Sequence, residues 1–365
     1  MKKLLSLILA AAMAAMLLTG CSSDSKEPAG SSNTPAPSSG APAGEPTELV
    51  VATWGGTTGA ALKEIVAPFE EENNCTIIID ETAGNSDRLN KIRAQKDAPE
   101  IDVAFLNDSF AVIGNEEGLF AEIDTSIVDN LDQLYDFAIV DEGYGPAYSV
   151  TSYGIMYNAD TVENPPKSYK ELFEGDYEGR VMMPDMTGTA GPMIAVALVE
   201  DLGGTQEDIT PAIDFMAANK KNIGLFYASG SDVINGFTTG ECDIAVFMDM
   251  FLPILQASGV NVQWVDAEEG NFSNMTTINV VEGCAHPELA QKLVKYMLEP
   301  ETQALVAEKV SEAPVNKNAT ITEEQDAYMV YGEDEVANLK TFDFSYINSV
   351  KADWIELFQK NVTTG

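Results

Sequence analysis

The chain repeats one local pattern along most of its length: a short apolar run that closes in small polar residues, then a segment with helical periodicity. Residues 49–53 (LVVAT) are apolar and rich in β-branched side chains, and they run into Trp54-Gly55-Gly56-Thr57-Thr58-Gly59. Leu62, Ile65, Val66 and Phe69 then recur at the i, i+3, i+4, i+7 spacing of a helix face. Residues 76–80 (TIIID) predict a second strand and 87–95 a second helix. Residues 101–106 (IDVAFL) predict a third strand, which opens into Asn107-Asp108-Ser109. A chain of strands alternating with helices buries its strands between helical layers, which restricts it to the α/β class.

The middle of the chain continues the pattern. Residues 180–183 (RVMM) end in Pro184-Asp185-Met186-Thr187-Gly188-Thr189, and 193–199 are apolar enough for a buried helix. Residues 223–227 (IGLFY) end in Ala228-Ser229-Gly230-Ser231, with a helix expected from about Asp232, and 243–247 (DIAVF) end in Met248-Asp249-Met250. Ligands in open α/β sheets sit outside the carboxyl ends of strands, so these loops are the candidate site. The last third reads as helices. Pro287 suits a first turn, Leu289, Leu293, Val294 and Met297 form a face, and Pro300 separates it from a second helix over 301–310.

Several chemistries are excluded by what the chain lacks. Its 58 acidic residues against 20 basic give a charge of −38, which repels phosphate backbones, so no nucleic-acid partner is expected. His286 is the single histidine and stands just before Pro287 at a helix start, which predicts a surface or capping role. One imidazole cannot build a multi-histidine metal site. No Walker A loop and no G-x-G-x-x-G follows a strand, and no cofactor is expected. Cys75, Cys242 and Cys284 are widely spaced without a C-x-x-C, so buried free thiols in strands are expected, with one bridge as the alternative.

The N-terminus predicts export. Lys2 and Lys3 lead an apolar run over residues 4–18, too short for a bilayer span and suited to a secretion signal. Leu18-Thr19-Gly20-Cys21 resembles the bacterial lipobox, which implies cleavage after residue 20 and lipidation of Cys21. The following stretch, SSDSKEPAGSSNTPAPSSGAPAGEPT, offers almost nothing to bury and reads as a tether spanning about 30 Å. The protein is therefore expected at the outer face of the cell membrane, held by its lipid alone.

A family resemblance rests on segments distributed in order along the folded body: LVVATWGG, PFEEEN, EIDVAFLND, SYGIMYNAD, FTTGECDIAVF and HPELAQKLVKYMLEPETQALVAEKVSEAPVN. With the lipobox and tether, they resemble the solute-binding proteins of bacterial ABC importers, and in particular their spermidine/putrescine-binding group. The resemblance implies a two-lobed periplasmic-binding-protein fold of type II, with a ligand cleft between lobes joined by two crossover strands. Behind the signal (1–20) and the lipidated tether (21–47), lobe 1 would comprise 48–152 and 275–318, and lobe 2 would comprise 153–274 and 319–365. It further implies a monomer that delivers a small molecule to a membrane permease driven by a cytoplasmic ATPase.

Carried over by position, Trp54 falls where the family packs an aromatic on the ligand's methylenes, and Asn107 and Ser109 fall at ligand-facing positions. Asp185 lies beside a ligand carboxylate, Thr189 at an acid position, Asp249 beside an aromatic one now held by Met248, and Glu312 near another aromatic. The residues themselves support two ligand chemistries. Asp108, Asp185, Asp249 and Glu312 suit an ammonium. The hydroxyl-rich turns at Gly55, Thr189 and Ser231, set ahead of helices, suit an anion. Tyr153, in a strand with Tyr157, and Asn274 complete the expected ligand set. A small amine-bearing, polyamine-like solute is the leading expectation, and a zwitterionic or anionic solute or a ligand-sensing lipoprotein of the same fold is the alternative. No positioned acid pair or nucleophile motif appears, so an enzyme is not expected.

Overall fold

The computed structural model describes residues 45–82 and 84–363, so the expected signal, Cys21 and all but the last residues of the tether lie outside the described residues. In chain order come β1 (Thr47–Trp54), α1 (Thr57–Asn73), β2 (Cys75–Thr82), α2 (Asn85–Ala94), β3 (Val103–Asn107) and α3 (Asp108–Glu116). The long β4 (Ala147–Asn158) leads to α4 (Glu171–Glu174), β5 (Val181–Pro184), α5 (Ala190–Asp201), α6 (Thr210–Asn219), β6 (Ile223–Tyr227) and α7 (Gly230–Thr239). Then follow β7 (Ile244–Met248), α8 (Leu252–Ala257), β8 (Val262–Val265), β9 (Phe272–Val280), α9 (Pro287–Met297), α10 (Pro300–Val310) and β10 (Ala313–Pro314). The chain finishes with α11 (Glu323–Asp326), α12 (Glu333–Ala337) and α13 (Phe344–Phe358).

Local chemistry sets these bounds. The predicted stripe of α1 is buried, and Asn74 ends the helix in the left-handed conformation at φ 46°. Ser229 and Asp232 form a reciprocal capping box, which starts α7 at Gly230, ahead of the Asp232 expected from the sequence. Pro287 and Pro300 occupy first-turn positions of α9 and α10, and His286 is the residue before α9, as expected. Cys75, Cys242 and Cys284 are free and buried, although only Cys75 lies in a strand.

The sheet order is β2-β1-β3-β9-β4-β7-β5-β6, with β8 and β10 also paired to β4. Strands β1, β2 and β3 pair in parallel, as do β5, β6 and β7, while β4 and β9 are antiparallel to each other and to the strands flanking them. The apolar interior divides at this antiparallel pair. One buried cluster runs from Leu49 to Val150 and resumes at Met275. The other side holds two clusters, the larger running from Tyr153 to Phe272 and resuming at Ile347. Met329 and Val336 pack in the first cluster, while Tyr328 also packs against the third and the Val330 amide donates to Asp249, so the 319–339 segment touches both sides.

Candidate functional site

The strand registers locate a cleft before any side chain is considered. Asn107, the last residue of β3, stands opposite Thr276 of β9. Met248, the last residue of β7, stands opposite Tyr153, which in turn faces Phe272. Since β3 runs against β9 and β7 runs with it, the carboxyl ends of strands from the two lobes point toward each other. A stretch of β9 of about 13 Å lies between them. Across that gap β4 and β9 carry polar residues where a sheet interior is normally apolar: Ser149, Thr151, Ser152, Ser273, Asn274 and Thr276 are all buried. At its midpoint Asn274 Nδ2 donates to the Thr151 hydroxyl at 2.9 Å. Asn274 Oδ1 and Ser273 Oγ have no hydrogen-bond partner.

On the lobe 1 side, β1 ends at Trp54, and the following Gly55 lies against the Glu81 side chain of β2, 2.8 Å from Oε2 to where a Cβ would stand. Asn107 is held by Asn85 at the start of α2, whose Oδ1 accepts from the Asn107 amide at 3.0 Å. Asp108 opens α3, 6% exposed, and accepts from the Ser109 and Met275 amides. Burial pushes its carboxyl up to about 7 in spite of those bonds. Ser109 is buried with its hydroxyl unpartnered.

On the lobe 2 side, Asp249 follows β7 and is 3% exposed. It accepts from the Ser152 amide at 3.0 Å, the Ser152 hydroxyl at 2.9 Å and the Met250 amide at 2.7 Å. Burial again dominates and raises its carboxyl to about 7. Tyr153 is buried beside the Asp108 carboxylate, and burial followed by that charge pushes its hydroxyl far above the usual range. Asp185 caps its own turn, accepting from the Thr187 amide at 2.9 Å and hydroxyl at 2.7 Å. Thr189 is buried at the start of α5 and makes no side-chain cap bond.

Two expected residues stand apart from this gathering. Ser231 is exposed in the first turn of α7, its amide bonded to Ser229 Oγ. Glu312 is buried inside lobe 1, where it accepts from the Ser149 and Tyr148 hydroxyls, and burial raises its carboxyl.

Two cations that the sequence reading did not single out are present. Arg88 of α2 is fully buried, with its guanidinium carbon 4.3 Å from the centre of the Trp54 ring. Its position was a signal, since it takes a place on the buried stripe of α2 with Leu89 and Ile92. Lys351 is the one cation of α13, and its ammonium donates to Gly188 O at 2.8 Å and lies 4.8 Å from the centre of the Phe110 ring. Burial lowers it to about 8, against the opposing pull of Asp185. Asn348 of the same helix donates to Ser109 O at 2.7 Å, so α13 touches both lobes at the cleft. Among the described residues no group of three His, Cys, Asp or Glu side chains is placed to hold a metal ion.

Comparison with known proteins agrees with this geometry. The solved structure of an ABC transporter protein from Clostridium perfringens ATCC 13124 superposes with a TM-score of 0.72 at 31% identity, over 86% of this chain and 99% of that one. The thiamine-binding periplasmic protein of Escherichia coli K12 is 25% identical over 69% of this chain and 74% of its own length. A gamma-aminobutyric acid-binding protein of Pseudomonas aeruginosa is 22% identical over 74% and 77%, and the spermidine/putrescine-binding periplasmic protein of E. coli K12 is 22% identical over 67% and 72%. The fold is the two-lobed α/β architecture of type II periplasmic binding proteins. The activity is extracellular solute binding for an ABC transporter, which is not an enzymatic one. Residues 64–329 match the family model for bacterial extracellular solute-binding proteins, and the chain belongs to that family.

Proposed function

We propose that the cleft captures a small solute bearing a cationic nitrogen and that the protein hands it to the permease of an ABC importer. The observation that carries this reading is the pair Asp108 and Asp249. One stands at the carboxyl end of a lobe 1 strand and the other at that of a lobe 2 strand. Both are buried, and they accept only from neutral amides and a hydroxyl. A desolvated carboxylate without a cation is costly, and an ammonium placed between the two relieves both at once. Because the partners sit on different lobes, the contact is complete only when the lobes close, which is what a ligand needs in order to favour the closed state.

Trp54 supplies an aromatic face at the same rim, and Asn107, Ser109, Tyr153, Thr189 and Asn274 supply neutral polar groups around it. The names of the relatives point the same way, since thiamine, gamma-aminobutyric acid, spermidine and putrescine all carry a cationic nitrogen. In this reading the chain acts as a monomer anchored through lipidated Cys21. Titration calorimetry of the protein without its tether against putrescine, thiamine, 4-aminobutanoate and the amine-free succinate tests the proposal. Binding of one or more amines with no heat from succinate is expected. Binding of succinate alone would overturn the amine reading.

A further inference from the structure

The strand order reverses direction at β1. Its neighbours are β2 on one side and β3 on the other, so α1 and α2 leave the sheet on opposite faces and a crevice opens where they part. Strand β1 pairs with β3 at Val51–Val103 and Ala52–Ala104, the Asp102 amide adds a bond to Val50 O before these rows, and Thr53 and Trp54 after them have no partner on β3. The Arg88 guanidinium lies at this unpaired end. One of its terminal nitrogens donates to the carbonyl of Phe105 on β3, and its central carbon lies 4.3 Å from the centre of the Trp54 ring at the end of β1. Its Nε and Nη2 have no partner, and no carboxylate lies within ion-pair distance of it among the described residues.

A fully buried guanidinium with two idle donors is an expensive arrangement for a structural residue. Asp80 is near enough to act on it through space, but its carboxylate is paired with Lys91. The Arg88 side chain is 0% exposed and packs against the partly buried Trp54 ring at the end of β1. Helix α1 begins at Thr57, two residues past the Gly55 turn, and its N-cap Gly56 supplies no side-chain cap, which leaves backbone N–H groups of its first turn as further donors.

We infer that the unpaired end of β1 beside β3 is an anion subsite in which Arg88 receives the acid group of the solute, so that the captured molecule carries a carboxylate or a similar acid together with its amine. The inference rests on the reading of Asp108 and Asp249 as the amine site and adds the second end of the ligand. Arg88 offers a planar pair of N–H donors, Nε and Nη2, matched to two oxygens of one acid group.

Titration of the protein with matched ligands tests this: ω-amino acids (β-alanine, 4-aminobutanoate, 5-aminopentanoate), the diamines of equal length, and succinate. The best amino acid should bind about tenfold or more tightly than its diamine, as one charge-assisted bidentate contact requires. Arg88→Met should remove that preference by weakening amino-acid binding and strengthening diamine binding, since the second ammonium no longer meets a buried cation. The melting midpoint of ligand-free Arg88→Met should equal or exceed that of the unaltered protein, because a buried unpaired charge has gone. Arg88→Lys, which keeps the charge without the fork, should retain part of the preference and serves if the Met variant does not fold.

Equal or tighter binding of the diamines, or an Arg88→Met protein that still prefers the amino acid, overturns the anion subsite and leaves the amine reading standing. Binding of succinate in preference to every amine overturns both. Silence across the whole series overturns the subsite.

Discussion

The Lys351 ammonium lies 4.8 Å from the centre of the Phe110 ring, so that a helix packed on the lobe 2 core meets a helix of lobe 1 over an aromatic face. The contact is attractive, and so is the bond from the same ammonium to Gly188 O. Burial still outweighs both, because the group is lowered to about 8. Lys351 therefore costs stability at the contact that it bridges.

Lys351→Met, which keeps the stem and removes the charge, should raise the melting midpoint of the ligand-free protein by an amount equivalent to about 1 kcal/mol. The pH dependence has a definite sign. The folded state releases this proton at about 8 and the unfolded chain near the ordinary lysine value, so the unfolded state binds more protons between those limits and stability gained from this group rises across that window. The variant should lack that rise in calorimetric scans between pH 8 and 10. A midpoint that drops in Lys351→Met would show that the ring and carbonyl contacts dominate.

Asp108 and Asp249 give the opposite slope at lower pH. Both are raised to about 7 by burial, so the folded state holds protons that the unfolded chain has already lost. Their contribution to stability is complete near pH 4 and declines as pH rises toward 7, while affinity for an amine should grow over the same interval as the carboxylates ionise. Asp249→Asn should flatten the decline in thermal scans from pH 4.5 to 7.5 and weaken amine binding at pH 7.5. An unchanged slope in Asp249→Asn would place the proton elsewhere.

Glu312 should separate folding from binding. Its carboxylate accepts from two buried hydroxyls, those of Ser149 and Tyr148, within lobe 1. Glu312→Ala removes the acceptor of both hydroxyls, leaving them only their bond to each other, and should cost about 2 kcal/mol of stability in denaturant titrations. Ligand affinity should change far less than in Asp249→Asn. A loss of binding equal to that of Asp249→Asn would move Glu312 into the ligand shell.

The three described thiols should be inert while the protein is folded. Burial pushes Cys242 up to about 12 and Cys284 to about 11, and raises Cys75 as well. Iodoacetamide at pH 8 should leave all three unmodified in the folded protein and label them in guanidinium, as mass spectrometry would show. Rapid native labelling of any one would contradict the burial described here.

The alternation of strands and helices was legible because each is a local pattern. The stripe of α1, the IDVAFL and DIAVF strands and the proline starts of α9 and α10 all depend on neighbours within a turn or two of the same segment. Asp108 and Asp249 were legible for a related reason, since each is the first residue after a strand, where the fold class places ligands. Ser231 shared that signal and is nonetheless exposed, because its turn closes on its own capping box. Arg88 and Lys351 were not singled out because their significance comes from what packs against them. Arg88 is one of three cations in a polar ten-residue helix, and only its packing against Trp54 and Phe105, residues on two strands, shows that two of its donors are idle.

The division of the apolar interior also sets an order of assembly. The first core needs residues up to Val150 and then those from Met275 onward, and the second needs residues from Tyr153 to Phe272 and then the last helix. Neither can be completed from an uninterrupted stretch, so each waits for chain synthesised well after its first part. Such long-range pairing is slow to form.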